Sequence, residues 1–155
     1  MNVVQPTDDG RMLVVRMSSS TAAPGRWQLP GSSAEPPHEH EVLDETALRR
    51  HAARELVEET GVDLVPEALS LWAVTRGENR SIGLVYLAEP CPSAALHKSF
   101  AAVTAAEQAL GRDPELDRIT LVRSPSDLNG LDGPHADYLG PVVRRYLENS
   151  FQHKV

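Results

Sequence analysis

The sequence predicts an α/β (α+β) domain in which helices pack on a mixed β-sheet. Short apolar segments rich in β-branched residues alternate with longer segments whose apolar residues recur at helical spacing, which indicates interleaved strands and helices. With 155 residues, 41% of them hydrophobic and 24% charged, the chain is large enough to bury a core. No internal repeat or long linker divides it, so we expect one domain over residues 1–155.

The first half of the chain predicts two strands and a helix. Residues 11–17, RMLVVRM, follow the turn signal DDG and predict a buried strand. A polar loop leads to residues 26–33, RWQLPGSS, which predict a short strand that ends at a Pro-Gly turn; residues 34–45 predict an exposed loop. A helix follows, with Asp44 as its N-cap and Gly61 as the left-handed residue that ends it.

The second half predicts a hairpin, two helices and a further strand. The strands are expected at LSLWAV (69–74), RSIGLVYLA (80–88) and RITLV (118–122), the first two forming the hairpin. Residues 95–111 carry apolar residues at helical spacing and end at Gly111. The last helix contains the apolar residues from Tyr138 to Leu147, and Pro141 either kinks it or lies in its first turn.

Charge and cysteine content narrow the classes of function. The net charge of −7 and the pI near 5.3 argue against non-specific binding to nucleic acid or to a membrane surface, which requires a basic patch. The single cysteine, Cys91, excludes an intrachain disulfide and is typical of a reducing cytosol. The N-terminus is acidic where a signal peptide is basic, and no apolar run reaches membrane-spanning length. We expect a soluble, cytoplasmic protein.

The predicted first helix carries a cluster of glutamates. Glu55, Glu58 and Glu59 fall within about a 100° arc of one helix face, and the i,i+4 pair Glu55–Glu59 repels by a few tenths of a kcal/mol. A solvated helix face is one interpretation, and the cluster alone favours it. The other is a site for a hard cation such as Mg²⁺, which binds carboxylates and bridges them to substrate phosphates. Arg54 can pair with Glu58.

Residues 54–62, RELVEETGV, resemble the second half of the Nudix box. That pattern reads Arg-Glu-hydrophobic-any-Glu-Glu-any-Gly-hydrophobic, and all seven specified positions match. RWQLPG at 26–31 is similar to the tryptophan–proline–glycine approach of many members, and Asp9-Gly10-Arg11 ahead of the first strand resembles the family's first hairpin. The chain thus resembles MutT-like members of the Nudix hydrolase family, which implies a mixed β-sheet sandwiched between helices.

The first half of the box departs from the family pattern. Counting back along the pattern places Thr46 where glutamate is expected and His40 where glycine is expected. Glu45 restores the glutamate if the segment is one residue longer, and Ser32 stands where a second glycine is expected beside Gly31. The loop is therefore degenerate and about eight residues longer than the pattern.

The resemblance implies an Mg²⁺-dependent hydrolase, with Mn²⁺ as an alternative ion, that cleaves the diphosphate bridge of a nucleoside diphosphate linked to another moiety. It implies Glu55, Glu58 and Glu59 as metal ligands together with the backbone of Gly31. Arg54, Glu55 and Glu58 are also candidate catalytic residues, and Arg54 is expected to act by holding a glutamate in place.

Several further residues are candidates for the site. Glu115 and Glu107 are candidate general bases, and the loop position of Glu115 suits catalysis better. Trp27 either stacks on a substrate base or packs in the core, and Gly31 is expected to let the diphosphate approach. His51 shares the carboxylate arc, but a helix-surface histidine is the simpler interpretation. His38 and His40, in the acidic loop, are interpreted as solvated.

Two other functions remain open at this point. Ser32 and the long loop are compatible with a catalytically weakened module that binds a nucleotide ligand or a protein partner without turnover. The acidic loop at 34–45 could also serve a protein-interaction domain. Many members of the family dimerise, which makes a homodimer a further expectation; neither nucleic acid nor a membrane is an expected partner.

Overall fold

The structure is a computed structural model that describes residues 1–34, 36, 40 and 42–152, with side chains described up to residue 149. Within this part of the chain, strands and helices interleave. The strands are β1 (Asn2–Val4), β2 (Met12–Met17), β3 (Trp27–Gln28), β4 (Ser70–Arg76), β5 (Ile82–Leu87) and β6 (Leu116–Val122). The α-helices are α1 (Glu45–Thr60), α2 (Ser93–Ala109) and α3 (Leu139–Gln152). Short 3₁₀ helices span Pro66–Ala68 and Pro125–Gly130.

The six strands form two three-stranded sheets. One has the order β1-β5-β4, with β1 parallel and β4 antiparallel to β5. The other has the order β3-β2-β6, with both pairs antiparallel. The α+β class is confirmed, and the mixed pairing lies in the first sheet. The division into two sheets was not predicted, because strand pairing joins segments that are distant in the sequence.

Helix α1 begins and ends at the predicted caps. Asp44 Oδ1 accepts a hydrogen bond from the backbone N–H of Ala47 at 2.8 Å. At the other end Gly61 adopts φ 73°, and its N–H donates to the carbonyl oxygen of Val57. A Cβ at Gly61 would lie 2.7 Å from the carbonyl oxygen of Ser99 in α2, so glycine here also permits close packing of the two helices.

The helices cover the sheets through separate apolar clusters. Helix α1 buries Ala52, Ala53 and Leu56 with Val3 and Tyr86 of the first sheet. Helix α3 buries its apolar face in a second cluster, and α2 contributes Leu96 to a third. The α3 residues in the second cluster are Leu139, Val142, Val143 and Leu147. Glu59 is buried on α1 together with the apolar residues of that helix, whereas Glu58 lies on its exposed side.

Most of the predicted elements are confirmed. The hairpin appears as β4 and β5, the strand predicted at 118–122 appears as β6, and Pro141 lies in the first turn of α3. Helix α2 ends at Ala109, shortly before Gly111, which has φ 70°. Strand β1 and both 3₁₀ helices were not predicted, because three-residue strands and single turns are too short for periodicity to reveal.

The loop before α1 is only partly described. Residues 35, 37–39 and 41 lie outside the described residues, so the expectation for His38 is not tested. His40 is exposed in a turn with φ 77°. In the part of the chain that the structure describes, none of the helices combines the length and apolar character needed to cross a membrane.

Candidate active site

Among the clustered glutamates Glu55, Glu58 and Glu59 of α1, Glu59 is the most buried, with 5% of its surface exposed. Its Oε2 accepts a hydrogen bond of 2.8 Å from the backbone N–H of Gly31, in the turn that follows β3. Its Oε1 is also buried and has no hydrogen-bond partner among the described residues. A buried carboxylate oxygen without a partner is costly, so this atom requires an explanation.

The surroundings of Glu59 oppose its ionisation. Burial raises the pKa of Glu59 to about 8, although the hydrogen bond from Gly31 favours the charged form. The negative charges of Glu115, Glu55 and Glu58 raise the pKa further. At neutral pH the metal-free carboxyl group is therefore largely protonated. A nearby cation would reverse this balance, because it would neutralise the repulsion between the four acids.

Glu55 and Glu58 lie at different depths on the same helix. The Glu55 side chain is 12% exposed, whereas that of Glu58 is 61% exposed. The expected pairing of Arg54 with Glu58 is present, with Arg54 Nε 3.9 Å from Glu58 Oε1. Because this ion pair is long and exposed, it contributes little to stability. Glu55 and Glu59 thus form the inner part of the acidic cluster and Glu58 its outer edge.

Glu115 faces the glutamates of α1 from the residue immediately before β6. Partial burial raises its pKa, and the charges of Glu55 and Glu58 raise it further. Glu107, the other candidate base, accepts two hydrogen bonds of 2.8 Å from the guanidinium of Arg112. This interaction lowers the pKa of Glu107, so Glu115 is the better placed of the two to accept a proton.

Two clefts meet at Glu115. A cleft of about 430 Å³ is lined by Glu58, Glu59 and Glu115 among other residues. A larger cleft of about 840 Å³ is lined by Gly31 and also by Glu115. Its polar lining includes Arg26, Gln28, Asn79, Asp137 and Tyr138. These volumes are in the range of small-molecule sites, so the acids lie beside space for a ligand of nucleotide size.

Gly31 shapes the turn that reaches Glu59. It adopts φ 129°, and a Cβ at this position would overlap the carbonyl oxygen of Met1, so only glycine fits. The Gly31 carbonyl accepts a long hydrogen bond of 3.4 Å from Gln28 Nε2. The carbonyl of the next residue, Ser32, accepts from the α-amino group of Met1. The Pro-Gly turn therefore lies next to the acidic cluster, as expected for a backbone that shares a site with these glutamates.

Trp27 has a structural role in the core. It is 1% exposed, and its Nε1 donates a hydrogen bond of 2.9 Å to the carbonyl oxygen of Asp132. The guanidinium of Arg16 lies 5.7 Å from the centroid of its ring. Stacking on a substrate base requires an accessible ring face, so the substrate-binding role expected for Trp27 is corrected to core packing.

His51 contacts the site, contrary to the simpler expectation of a surface histidine. Its side chain is 11% exposed, and its Nε2 lies 3.1 Å from Ser32 Oγ and 3.4 Å from Glu55 Oε1. Its Nδ1 lies 2.7 Å from Nη2 of Arg54. The i,i+4 spacing of His51 and Glu55 was the available sequence signal, but the contact with Ser32 depends on how the loop packs.

The residues present fit a divalent cation in their chemistry. Among the described residues, no group of three or more His, Cys, Asp or Glu side chains is already close enough together to hold a metal ion. However, the raised pKa values of Glu59 and Glu115 and the unpartnered Oε1 of Glu59 indicate carboxylates whose charged form is disfavoured, even though the α-amino group of Met1 lies near Glu55 and Glu59. Oxygen ligands of this kind suit Mg²⁺ or Mn²⁺.

Solved structures with the same fold include a MutT protein and two further proteins. The MutT protein from Methanosarcina mazei Go1 is 20% identical, with 99% of this chain and 93% of that chain covered and a TM-score of 0.55. The E. coli ORF135 protein is 16% identical, with coverage of 99% and 89% and a TM-score of 0.53. DR0079 from Deinococcus radiodurans is 17% identical, with coverage of 93% and 79% and a TM-score of 0.51. At these identities the likeness concerns the fold alone.

The NUDIX domain family matches residues 1–146 of the chain. The chain therefore belongs to the Nudix family, whose domain implies pyrophosphohydrolase activity in general. A search of curated proteins finds no match to this sequence. The family assignment agrees with the resemblance carried by residues 54–62, which form the second half of α1 and its C-terminal cap.

Proposed function

We propose that the protein hydrolyses the diphosphate bridge of a nucleoside diphosphate linked to another moiety, with Mg²⁺ as its ion and Mn²⁺ as a substitute. The observation that carries this proposal is the state of Glu59. This buried carboxyl group has a raised pKa and an unpartnered oxygen, and it lies among three further acids beside a cleft of nucleotide size. A divalent cation would satisfy that oxygen, offset the repulsion and attract substrate phosphates.

Within this proposal the α1 glutamates hold the ion. Buried Glu59 and partly buried Glu55 are the first ligands, and Glu58 contributes from the exposed edge. The backbone carbonyl oxygen of Gly31, which accepts only a long hydrogen bond of 3.4 Å from Gln28, is proposed to complete the ligand set. When bound, the ion supplies Lewis-acid chemistry: it polarises phosphate oxygens and lowers the pKa of a bound water. The N–H of Gly31 holds Glu59 in orientation, so part of the ligand geometry is already organised.

Glu115 is proposed as the general base that removes a proton from the attacking water. Its pKa is raised by partial burial and by the α1 acids, which brings it closer to neutral pH than an ordinary glutamate. It also lines both clefts, so it can reach a water next to a bound diphosphate. The charges of Glu55 and Glu58 are among the causes of the raised pKa of Glu115, so neutralising them would remove part of this increase.

The larger cleft is proposed to receive the nucleoside and its linked group. Its polar lining offers donors and acceptors from Gln28, Asn79 and Tyr138, which suit the edges of a base or the hydroxyls of a sugar. Arg26 lines the same cleft and offers a positive charge in an otherwise acidic protein. A diphosphate placed between this cleft and α1 would lie close to both Glu115 and Glu59.

A screen of nucleoside diphosphate compounds tests the proposal. Deoxynucleoside triphosphates, nucleotide sugars and ADP-ribose-like compounds would be incubated with Mg²⁺ or Mn²⁺ and scored for phosphate-bond hydrolysis and for a melting shift. We expect turnover of at least one class that a chelator abolishes. Melting shifts without hydrolysis of any compound at any metal concentration would instead identify a binding module and contradict the proposed activity.

A further inference from the structure

His51 links the turn after β3 to the acidic face of α1. Its Nδ1 lies 2.7 Å from Arg54 Nη2, and its Nε2 lies 3.1 Å from Ser32 Oγ and 3.4 Å from Glu55 Oε1. With 11% of the side chain exposed, the imidazole is held between its neighbours on both edges. Nothing in the Nudix box itself assigns a role to this position.

The donors and acceptors of these contacts determine where the protons lie. A guanidinium can only donate, so the Nδ1 of His51 accepts from Arg54. The hydrogen of a neutral imidazole is then on Nε2, which donates to Ser32 Oγ and points also toward Glu55. The Ser32 hydroxyl donates in turn to the carbonyl oxygen of Ser33 at 3.2 Å. In this series of hydrogen bonds every donor meets an acceptor, from the guanidinium of Arg54 to the carbonyl oxygen of Ser33.

This network is a second connection between the turn and the helix. The first is the hydrogen bond from the Gly31 N–H to Glu59. The second runs from the neighbouring residue, Ser32, through His51 to the edge of Glu55. Two adjacent residues of the turn, Gly31 and Ser32, are thus connected to Glu59 and Glu55, which lie one helical turn apart on α1. Ser32, which stands where the family pattern has glycine, provides a hydroxyl that glycine lacks.

We propose that His51 is a positioning residue that acts with Ser32 to hold Glu55 and the Gly31–Ser32 turn in the geometry that binds the divalent ion. This inference rests on the proposed function. Residues that orient metal ligands through hydrogen bonds commonly change metal affinity by about 10- to 100-fold when they are replaced. The Ser32–His51 contact therefore compensates for the lost glycine by anchoring the turn through a side chain.

Three variants test the role of His51 and Ser32. His51→Ala removes both edges of the network, and Ser32→Ala removes only its hydroxyl. His51→Gln is a rescue, because its amide oxygen can accept from Arg54 and its amide nitrogen can donate to Ser32. Mn²⁺ would be titrated against each protein, with the melting shift giving the half-saturating concentration and kinetics giving kcat and KM. His97→Ala, an exposed histidine of α2, is the matched control.

We expect the half-saturating Mn²⁺ concentration to rise about 10-fold or more in His51→Ala and Ser32→Ala. His51→Gln should recover most of the affinity and His97→Ala should match the wild type. The double variant His51→Ala/Ser32→Ala should bind Mn²⁺ no more weakly than the single variant with the lower Mn²⁺ affinity, because both substitutions remove the same contact. Circular dichroism checks folding, and Ser32→Ala, in a solvent-accessible loop, remains informative if His51→Ala does not fold.

The outcomes separate this inference from the proposed function. If the wild type binds Mn²⁺ and hydrolyses a substrate but neither alanine variant changes metal affinity, His51 has no positioning role and the inference is wrong. Additive effects of the two substitutions would overturn it as well, since they would show that the residues act independently. If the wild type shows neither an Mn²⁺-induced melting shift nor hydrolysis, the proposed function fails first, and the inference fails with it.

Discussion

The backbone N–H of Gly31 donates a hydrogen bond of 2.8 Å to Oε2 of Glu59, and this contact joins residues 28 positions apart. Gly31 belongs to the part of the Nudix box that departs from the family pattern, whereas Glu59 belongs to the part that matches it. The contact shows that the expanded loop does not carry the turn away from the acidic helix. The two halves of the motif are still assembled at one place.

Replacing Glu59 with glutamine should abolish activity while preserving the fold. Glutamine keeps the size of the side chain and an oxygen that can accept from Gly31, but it cannot supply a negative ligand oxygen to a cation. We expect kcat/KM to fall by about 100-fold or more in steady-state assays. The Mg²⁺-induced melting shift should shrink in parallel. Wild-type turnover by a folded Glu59→Gln protein would contradict the assignment of this residue as a ligand.

The stability of the metal-free protein should decrease as the pH rises from about 4.5 to about 8. The pKa of Glu59 is about 8 in the folded protein and near 4.5 in an unfolded chain, so between these values the folded state retains a proton that the unfolded state has lost. This group lowers the free energy of unfolding by up to about 1.4 kcal/mol per pH unit. Urea unfolding in the presence of a chelator at several pH values measures this pH dependence of the free energy of unfolding. Glu59→Gln should show a flatter dependence, and parallel curves for the two proteins would be evidence against the raised pKa.

Metal binding at pH 7 should release a proton from the protein. The Glu59 carboxyl group is largely protonated at this pH without a cation, because its pKa is about 8, and it must ionise to bind one. Calorimetric titration of Mg²⁺ or Mn²⁺ in two buffers of different ionisation enthalpy gives the number of protons released. We expect a value approaching one for the wild type and near zero for Glu59→Gln. Equal heats in both buffers for the wild type would refute this coupling.

Glu115→Gln and Glu107→Gln should differ in their effect on catalysis. Glu115 lies beside Glu55 and Glu58 with a raised pKa, whereas Glu107 is paired with Arg112. Removing a general base typically lowers the rate by about 100- to 10,000-fold, so we expect such a loss of kcat for Glu115→Gln. Glu107→Gln breaks an exposed ion pair and should leave kcat within about twofold of the wild type. The reverse order in kinetic assays would assign the base to Glu107.

Gly31→Ala should destabilise the protein more than Gly111→Ala. Both glycines have positive φ, but a Cβ at Gly31 overlaps the carbonyl oxygen of Met1, while a Cβ at Gly111 meets nothing within 4 Å. The left-handed conformation alone costs about 1–2 kcal/mol, and the overlap at Gly31 adds to this. Chemical unfolding gives both free energies. Similar losses in the two variants would mean that the turn can shift away from Met1.

Trp27→Phe should reduce stability without changing KM. The indole is buried and donates to the carbonyl oxygen of Asp132, so the change removes core volume and a hydrogen bond. We expect a loss of about 1–3 kcal/mol in the free energy of unfolding. KM for a turned-over nucleotide should stay within about twofold, because the ring is not accessible to a substrate base. A large increase in KM at full stability would restore the stacking role.

The local elements of the site could be predicted from the sequence. The helix with its glutamates, the cap at Asp44 and the left-handed Gly61 follow from patterns within a few residues of each other, where helical periodicity and capping operate. The match of residues 54–62 to all seven specified positions of the Nudix box also predicted the correct family. Trp27 illustrates the limit: a tryptophan before a Pro-Gly turn is compatible with stacking and with core packing, and only its burial distinguishes them.

The sequence by itself therefore determined the class of fold, the family and the cluster of glutamates on α1, and it named the candidate ligands of a cation. The tertiary structure alone decided that Gly31 reaches Glu59, that Glu115 faces Glu55 and that His51 contacts Ser32. The physical reason is the range of the interactions. Periodicity and capping join residues within one or two helical turns, whereas these contacts depend on how the loop after β3 and the start of β6 pack against α1.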